Sequence, residues 1–318
     1  MIEDIPTIDF ARLHEAATLA ELDRACREWG FFHLVGDAID APTRAHTLAA
    51  MRAFFALPAA SKHAIERTAD NPWGFYDREL TKNVRDWKQI LDVGPDVPTA
   101  GLDAARAQWP ADMPSLQPAL HAFTRECERV AQRLLEAICV NLGMPAHHLD
   151  ACFGSAQTSF LRLNWYPTCP DPAPADSPTT PAHGQLGIHH HTDSGALTVL
   201  LQDAQPGLQV LHGERWHTVQ PRPGALVINI GDVVQVWSND RYRAPLHRVL
   251  ANASAERYSA PFFFNPSFET VYAPLPGACD AANPPRYRPI SWAEFRAARA
   301  AGDYADVGEE VQISHFLI

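Results

Sequence analysis

Three pairs of polar side chains at strand period carry the chemistry that this sequence offers. In His189-His190-His191-Thr192-Asp193-Ser194-Gly195, which runs into the apolar stretch Ala196 to Gln202, His191 and Asp193 stand two residues apart. An extended backbone turns such a pair to one face, so an imidazole and a carboxylate meet there. That is two-thirds of a metal site. His247, in the short apolar run Pro245 to Leu250, is the candidate third ligand. Two histidines and one carboxylate form the facial set that holds non-haem Fe(II) and leaves positions open for oxygen and a co-substrate. Alone, a His-x-Asp pair has little force, because it arises by chance in many chains. The second pair is Arg257 and Ser259 on an expected strand from Glu256 to Phe264. A guanidinium is a planar fork of donors that matches a carboxylate, and a hydroxyl two residues on adds another donor. The third pair is Asn164 and Tyr166, which alternate with Leu161, Leu163 and Trp165 in Phe160 to Pro167. Polar groups facing the inside of a barrel are costly unless something binds them.

Other residues carry weaker readings. His189 shares the face of His191 and is a rival ligand, with a solvated loop as the preferred reading, while His190 points the other way. Phe263 alternates with Arg257 and Ser259 and is a candidate to line a substrate pocket; ordinary core packing is equally open. Phe75, Tyr76 and Lys88 are further candidates to touch substrate, each with a structural role as the alternative.

The elements that must position these groups follow from periodicity. Ile5 to Phe10 alternates as a short strand, and Thr18-Leu19-Ala20-Glu21 has the form of a capping box opening a helix that Gly30 stops. Phe31 to Val35 is strand-like, and Pro42 to Leu57 is helical with Leu48, Met51, Phe54 and Phe55 inward. Leu116, Leu120, Phe123, Cys127, Val130, Leu134, Ile138 and Leu142 recur at helical spacing between Pro114-Ser115 and Gly143, a long amphipathic helix suited to packing across a sheet. From Ser159 to Phe268 the pattern becomes short strands broken by Gly, Pro and Asp. Leu208 to Leu211, Arg215 to Val219, Ala225 to Ile230 and Val233 to Trp237 are the clearest, with Gly231-Asp232 read as a tight turn. The expected fold is α+β, a double-stranded β-helix or jelly-roll core flanked by helices, with one long helix packed on the sheet. The expected organisation is a mixed α/β region over 1–114, then the long helix, the jelly roll (core about 159–268) and a final helix, capped by Ser291, over 115–318. The proline-bearing insert from Asp171 to Gly184 reads as a mobile surface loop near the site mouth.

Composition narrows the function. With 46% apolar residues in 318, the chain can bury a large core, and its net charge of −11 without a Lys/Arg run argues against nucleic acid or anionic membrane as partner. A small molecule is the expected partner, with oligomeric state open. No apolar stretch approaches a membrane span, and Met1-Ile2-Glu3-Asp4 lacks the features of a secretory signal, so a cytoplasmic location is expected. Six scattered cysteines without Cys-x-x-Cys spacing argue against a zinc site or a disulfide framework.

Taken together, Asn164-Trp165-Tyr166-Pro167, His191-Thr192-Asp193-Ser194-Gly195-Ala196-Leu197-Thr198, Gln202-Asp203, Gly207-Leu208-Gln209-Val210, Asn229-Ile230-Gly231-Asp232, His247-Arg248-Val249 and Arg257-Tyr258-Ser259 resemble the successive motifs of the isopenicillin N synthase-like Fe(II)/2-oxoglutarate-dependent dioxygenases. The resemblance extends to Ile5-Pro6-Thr7-Ile8-Asp9-Phe10, Trp29-Gly30-Phe31-Phe32, Phe54 to Pro58 and Gly302 to Asp306; Gly36-Asp37-Ala38-Ile39 departs from it. It implies an oxidoreductase that takes Fe(II), 2-oxoglutarate and O2, hydroxylates or desaturates a small molecule, and releases succinate and CO2. His191, Asp193 and His247 would be its metal ligands. Arg257 and Ser259 would hold the far carboxylate of 2-oxoglutarate, helped by Tyr166, with Asn164 near the metal end. One alternative keeps the iron but gives the Arg-x-Ser clamp to the substrate's own carboxylate, as in oxidative cyclases or ethylene-forming relatives. Another is a non-catalytic sensor of metal or 2-oxoglutarate.

Overall fold

The strand Leu197–Gln202 lies at the middle of the architecture, hydrogen-bonded on one side to Leu226–Ile230 and on the other to Arg257–Phe264. In the computed structural model, which describes residues 4–96, 105–154, 156–302 and 308–318, these strands belong to an eight-stranded sheet. Its order is Thr7–Asp9, Phe31–Val35, Leu226–Ile230, Leu197–Gln202, Arg257–Phe264, Phe160–Tyr166, Gln89–Val93 and Gly74–Tyr76. The first pair is parallel and the rest are antiparallel. Strands from the first hundred residues thus flank the barrel strands in one continuous sheet. A smaller antiparallel sheet, ordered Arg215–Thr218, Leu208–His212, His247–Leu250 and Leu186–His191, forms the second wall of the jelly roll.

The long helix is Leu116–Asn141, and its buried face is the expected one: Leu116, Leu120, Phe123, Cys127, Val130, Leu134 and Ile138. It packs on Leu197–Gln202 and Arg257–Phe264 from outside and also meets the helices Ala16–Glu28 and Ala41–Phe55. Each fully buried apolar side chain contributes about 1.5–3 kcal/mol, so this face seals the outer side of the major sheet. Chemistry is left to the inner side. Among the described residues, no helix is long and apolar enough to cross a membrane.

Three local expectations are corrected. Val233 to Trp237 is not a strand but part of the helix Asp232–Trp237. Its β-branched run is buried on every side, and an all-buried apolar run has no periodicity to tell helix from strand. Tertiary bonds decide: the Asp232 and Val233 amides donate to the carbonyls of Asp193 (2.8 Å) and Gly195 (3.1 Å). The first long helix starts at Ala16, not with a box at Thr18; Thr18 is a buried interior residue and Glu15, without a side-chain cap, precedes the helix. The insert from Asp171 to Gly184 is held against the smaller sheet. The Arg248 guanidinium donates to Pro178 O (2.7 Å), Ser177 O (3.0 Å) and Ala175 O (3.3 Å), and Gln209 Nε2 also donates to Ala175 O (3.0 Å). None of its residues lines the central cavity. Of the familial stretch Gly302 to Asp306, only Gly302 falls among the described residues, and of Met1 to Asp4 only Asp4 does.

Gly231 is where the helix Asp232–Trp237 meets the loop that carries Asp193. A Cβ there would press into Gly195 O and lie 2.8 Å from Asp193 O. Backbone cannot swing aside as a side chain does. Gly231→Ala is therefore expected to cost about 1–3 kcal/mol, the usual range for forced overpacking, read as a lower urea midpoint by circular dichroism; an unchanged midpoint would contradict this packing.

Candidate active site

His191 ends the strand Leu186–His191, and His247 begins His247–Leu250, directly opposite it across the ladder. Asp193 follows in the crossover toward Leu197–Gln202. The two imidazole rings lie 4.2 Å apart, and Asp193 Oδ1 is 3.7 Å from His191 Nε2 and 3.5 Å from His247 Nε2. One ligand atom from each residue falls within 4.8 Å of the others, a spacing that admits one metal ion. The outer atoms are already committed. His191 Nδ1 donates to His189 O (2.8 Å) and His247 Nδ1 to Pro245 O (3.1 Å), so in each neutral ring Nε2 bears the lone pair. Asp193 Oδ2 accepts from Thr198 Oγ1 (2.5 Å) and Asn229 Nδ2 (2.7 Å), leaving Oδ1 for the centre.

Electrostatics favours the same states for Asp193 and His191. Burial opposes charge on Asp193, but His247, His191 and Thr198 outweigh it and hold the carboxyl well below the usual carboxylate range. Burial, then the adjacent His247, pushes His191 down to about 3, so it is a neutral imidazole. For His247 burial works against protonation and Asp193 raises it above the ordinary histidine value. His189 is not part of the cluster: its ring Nδ1 pairs with Asp86 at 3.1 Å, and its amide donates to the same carboxylate.

The second and third polar pairs face each other across one ladder, Arg257 opposite Tyr166 and Ser259 opposite Asn164. Arg257 is 2% exposed and its Nη2 donates to Gln202 Oε1 (2.9 Å). Its Nε and Nη1 are buried and have no partner, as is Asn164 Oδ1. Asn164 Nδ2 reaches Ser259 Oγ only at 3.5 Å. Tyr166 lies against the guanidinium, 5.2 Å from ring centroid to Cζ. Leaving a buried donor unsatisfied costs about 1–3 kcal/mol, more for a charged group. A carboxylate fits this cradle.

Both clusters open into one cavity of about 260 Å³. Trp73, Phe160 and Phe263 supply apolar wall, and Phe263 thus sits where alternation put it. Phe75 and Tyr76 do not line it: Phe75 is in the core, edge-on to Phe54 and His63, and Tyr76 lies under Arg67 at 3.9 Å. Lys88 does line it, in a buried ion network that single-residue reading did not reveal. Lys88 pairs with Glu79 (2.6 Å) and Asp86 (3.1 Å), Arg162 with Asp92 (2.7 Å) and Glu79 (2.9 Å), and Arg67 with Glu79 and Asp92 (both 3.3 Å). Burial disfavours the Glu79 carboxylate, yet Arg162, Lys88 and Arg67 keep it far below its ordinary pKa. From the C-terminal side Arg296, Arg299 and Glu310 complete the lining.

Known proteins resemble this chain over most of its length. Residues 157–266 match the model of the 2OG-Fe(II) oxygenase superfamily, and residues 5–116 match that of the non-haem dioxygenase in morphine synthesis N-terminal region. Jasmonate-induced oxygenase 1 of Arabidopsis thaliana is 31% identical over 299 residues, covering 92% of this chain and 72% of the relative. The chain belongs to the 2OG-Fe(II) oxygenase superfamily. Flavanone 3-dioxygenase 2 of Oryza sativa subsp. japonica is 33% identical over 297 residues, covering 92% and 82%. Among solved structures, JOX2 in complex with 2OG, Fe and JA superposes with a TM-score of 0.84 at 28% identity, covering 99% of this chain and 90% of that one. This oxygenase is accordingly an Fe(II)- and 2-oxoglutarate-dependent dioxygenase that uses O2 to oxidise a small-molecule substrate.

Two outcomes follow from the residues behind the site. Asn229→Ala removes a donor to Asp193 Oδ2 and is expected to weaken Fe(II) binding about 10–100-fold, measured by anaerobic equilibrium dialysis. Glu79→Gln strands Lys88 and Arg162 and is expected to cost about 3–5 kcal/mol in urea unfolding at pH 7. The Glu79 contribution is complete above the ordinary glutamate value, about 4.3, and is lost as pH falls toward the depressed folded value. The gap between wild type and variant should therefore narrow on acidification below that value; a gap that widens would contradict an ionised Glu79.

Proposed function

We propose that His191, Asp193 and His247 hold the catalytic Fe(II) of this oxygenase, and that Arg257 and Ser259, assisted by Tyr166, bind the far carboxylate of 2-oxoglutarate. The single observation that carries the second half is the pair of buried, unpartnered Arg257 nitrogens beside Ser259. Bound iron, with O2 and 2-oxoglutarate, supplies the oxidation of a substrate C–H bond, and succinate and CO2 leave. The chain's own residues do the rest. Thr198 and Asn229 hold Asp193 in one rotamer; the carbonyls of His189 and Pro245 hold the two rings in the tautomer that presents Nε2. Gln202 orients Arg257 by accepting from Nη2. Asn164, with its free Oδ1 beside Ser259, lies between the clamp and the metal ligands and positions the co-substrate along its length. Phe263, Phe160 and Trp73 exclude water where the substrate enters. JOX2 was solved with JA in place, and we infer a small organic substrate in the corresponding cavity here. We assign the enzyme to the cytosol, since its six cysteines are all unpaired and a reducing compartment keeps them so.

An anaerobic titration tests the assignment. Adding 2-oxoglutarate to the Fe(II) protein should raise the visible metal-to-ligand charge-transfer band of a chelated keto acid. Arg257→Ala should require at least tenfold more 2-oxoglutarate, and Asp193→Ala should give no band. A band equally strong in Arg257→Ala at low 2-oxoglutarate would remove Arg257 from the clamp.

A further inference from the structure

Two guanidiniums of the cavity wall, Arg257 and Arg296, each have a buried nitrogen without a hydrogen-bond partner and no ion pair among the described residues. Among the described residues, Arg67, Arg162 and Lys88 pair with Glu79, Asp86 and Asp92. At the rim, Lys82 and Glu310 pair at 3.0 Å. Arg299 donates to Thr192 O (2.8 Å) and Val311 O (3.3 Å) and faces the buried carboxylate of Asp232. Arg296, on the helix Trp292–Ala301, is different. It lines the cavity, its Nη1 is buried without a partner, and its guanidinium lies over the rings of Trp73 (5.7 Å) and Phe268 (5.4 Å). Asp92, the described carboxylate that acts on it, already has both oxygens bonded to Arg162. Burial lowers its pKa to about 10, which still leaves it charged at neutral pH.

Strand register places this charge relative to the rest of the site. Phe263 pairs with Thr198, whose hydroxyl holds Asp193, so the metal cluster sits near the Phe263 end of Arg257–Phe264. Arg257 is at the other end, six residues away, or roughly 20 Å along an extended strand. Phe263 packs at a tilt on Phe160 (4.9 Å), Phe160 meets Trp73 (5.4 Å), and Trp73 carries Arg296. The cavity therefore has two cationic ends with the metal ligands between them. Arg257 belongs to one ligand and Arg296 to another.

We propose that the oxidised substrate is a small organic monoacid whose carboxylate pairs with Arg296 and whose apolar body lies along Trp73, Phe160 and Phe263 toward the metal. A guanidinium fork binds a carboxylate in two parallel hydrogen bonds, and a desolvated charge without an ion pair selects an anion over its neutral analogue. This reading rests on Arg257 being occupied by 2-oxoglutarate. It also separates the two clamps, so the substrate does not need the Arg-x-Ser pair for its own carboxylate.

The test uses the Fe(II) protein with 2-oxoglutarate under anaerobic conditions and three probes, phenylacetate, 3-phenylpropionate and cyclohexylacetate, each against its methyl ester. Isothermal titration calorimetry gives the affinities, and perturbation of the charge-transfer band reports approach to the metal. At least one acid should bind tenfold or more tightly than its ester. In Arg296→Met, which keeps the side chain's apolar length over Trp73, that acid should lose at least tenfold while the ester is unchanged; Arg296→Lys should recover part of the loss. The acid–ester comparison in wild type stands even if a variant fails to fold. The proposal is overturned if no acid outbinds its ester or if the preference survives Arg296→Met. If the charge-transfer band never forms in wild type, the 2-oxoglutarate assignment fails instead, and the calorimetric comparison still decides the role of Arg296.

Discussion

The carboxylate of Asp193 is the point on which the two sheets of the barrel are joined. Its Oδ2 is held by Thr198 and Asn229, neighbours across the ladder of the major sheet, and its Oδ1 faces His191 and His247, neighbours across the ladder of the minor one. A buried carboxylate stays ionised only where such partners surround it. The strands must therefore be in register on both walls for the charge to be tolerated, and once they are, the three ligand atoms have little freedom left. The helix Asp232–Trp237 adds a backbone constraint by binding the carbonyls of Asp193 and Gly195.

The same economy of position holds farther along the major sheet. Arg257 and Ser259 owe their common face to strand alternation, and Tyr166 and Asn164 are brought beside them by one antiparallel pairing. Gln202 comes from the strand on the other side and orients the guanidinium. The proposed co-substrate clamp is thus spread over three adjacent strands. The ion network of Glu79, Asp86, Asp92, Lys88, Arg67 and Arg162 joins the early strands to Phe160–Tyr166 and makes the first hundred residues part of the active-site wall.

The iron-ligand candidates and the clamp were legible because strand chemistry is local: i and i+2 share a face whatever the rest of the chain does. The long helix was legible from its apolar period. Val233 to Trp237 misled because β-branched residues favour strand, and only the amide bonds to the Asp193 loop make that run a helix. Phe75 was a candidate for substrate contact, yet its ring is enclosed by Phe54 and His63. Thr198 and Asn229 carried a faint signal, each a polar residue in a buried apolar strand. Arg296 carried none, since its neighbours in space, Trp73 and Phe268, are distant in sequence.

Arg248 follows His247 in the same strand, so its side chain leaves by the opposite face, where it grips the carbonyls of Ala175, Ser177 and Pro178 and lies 4.2 Å from the Trp216 ring. The insert that seemed an appendage is thereby a stay fastened behind a strand that bears a metal-ligand candidate. Mechanically, load on the inner face at His247 is shared with a loop on the outer face. Without Arg248's hold on those three carbonyls, the loop would come away and the strand would lose that backing.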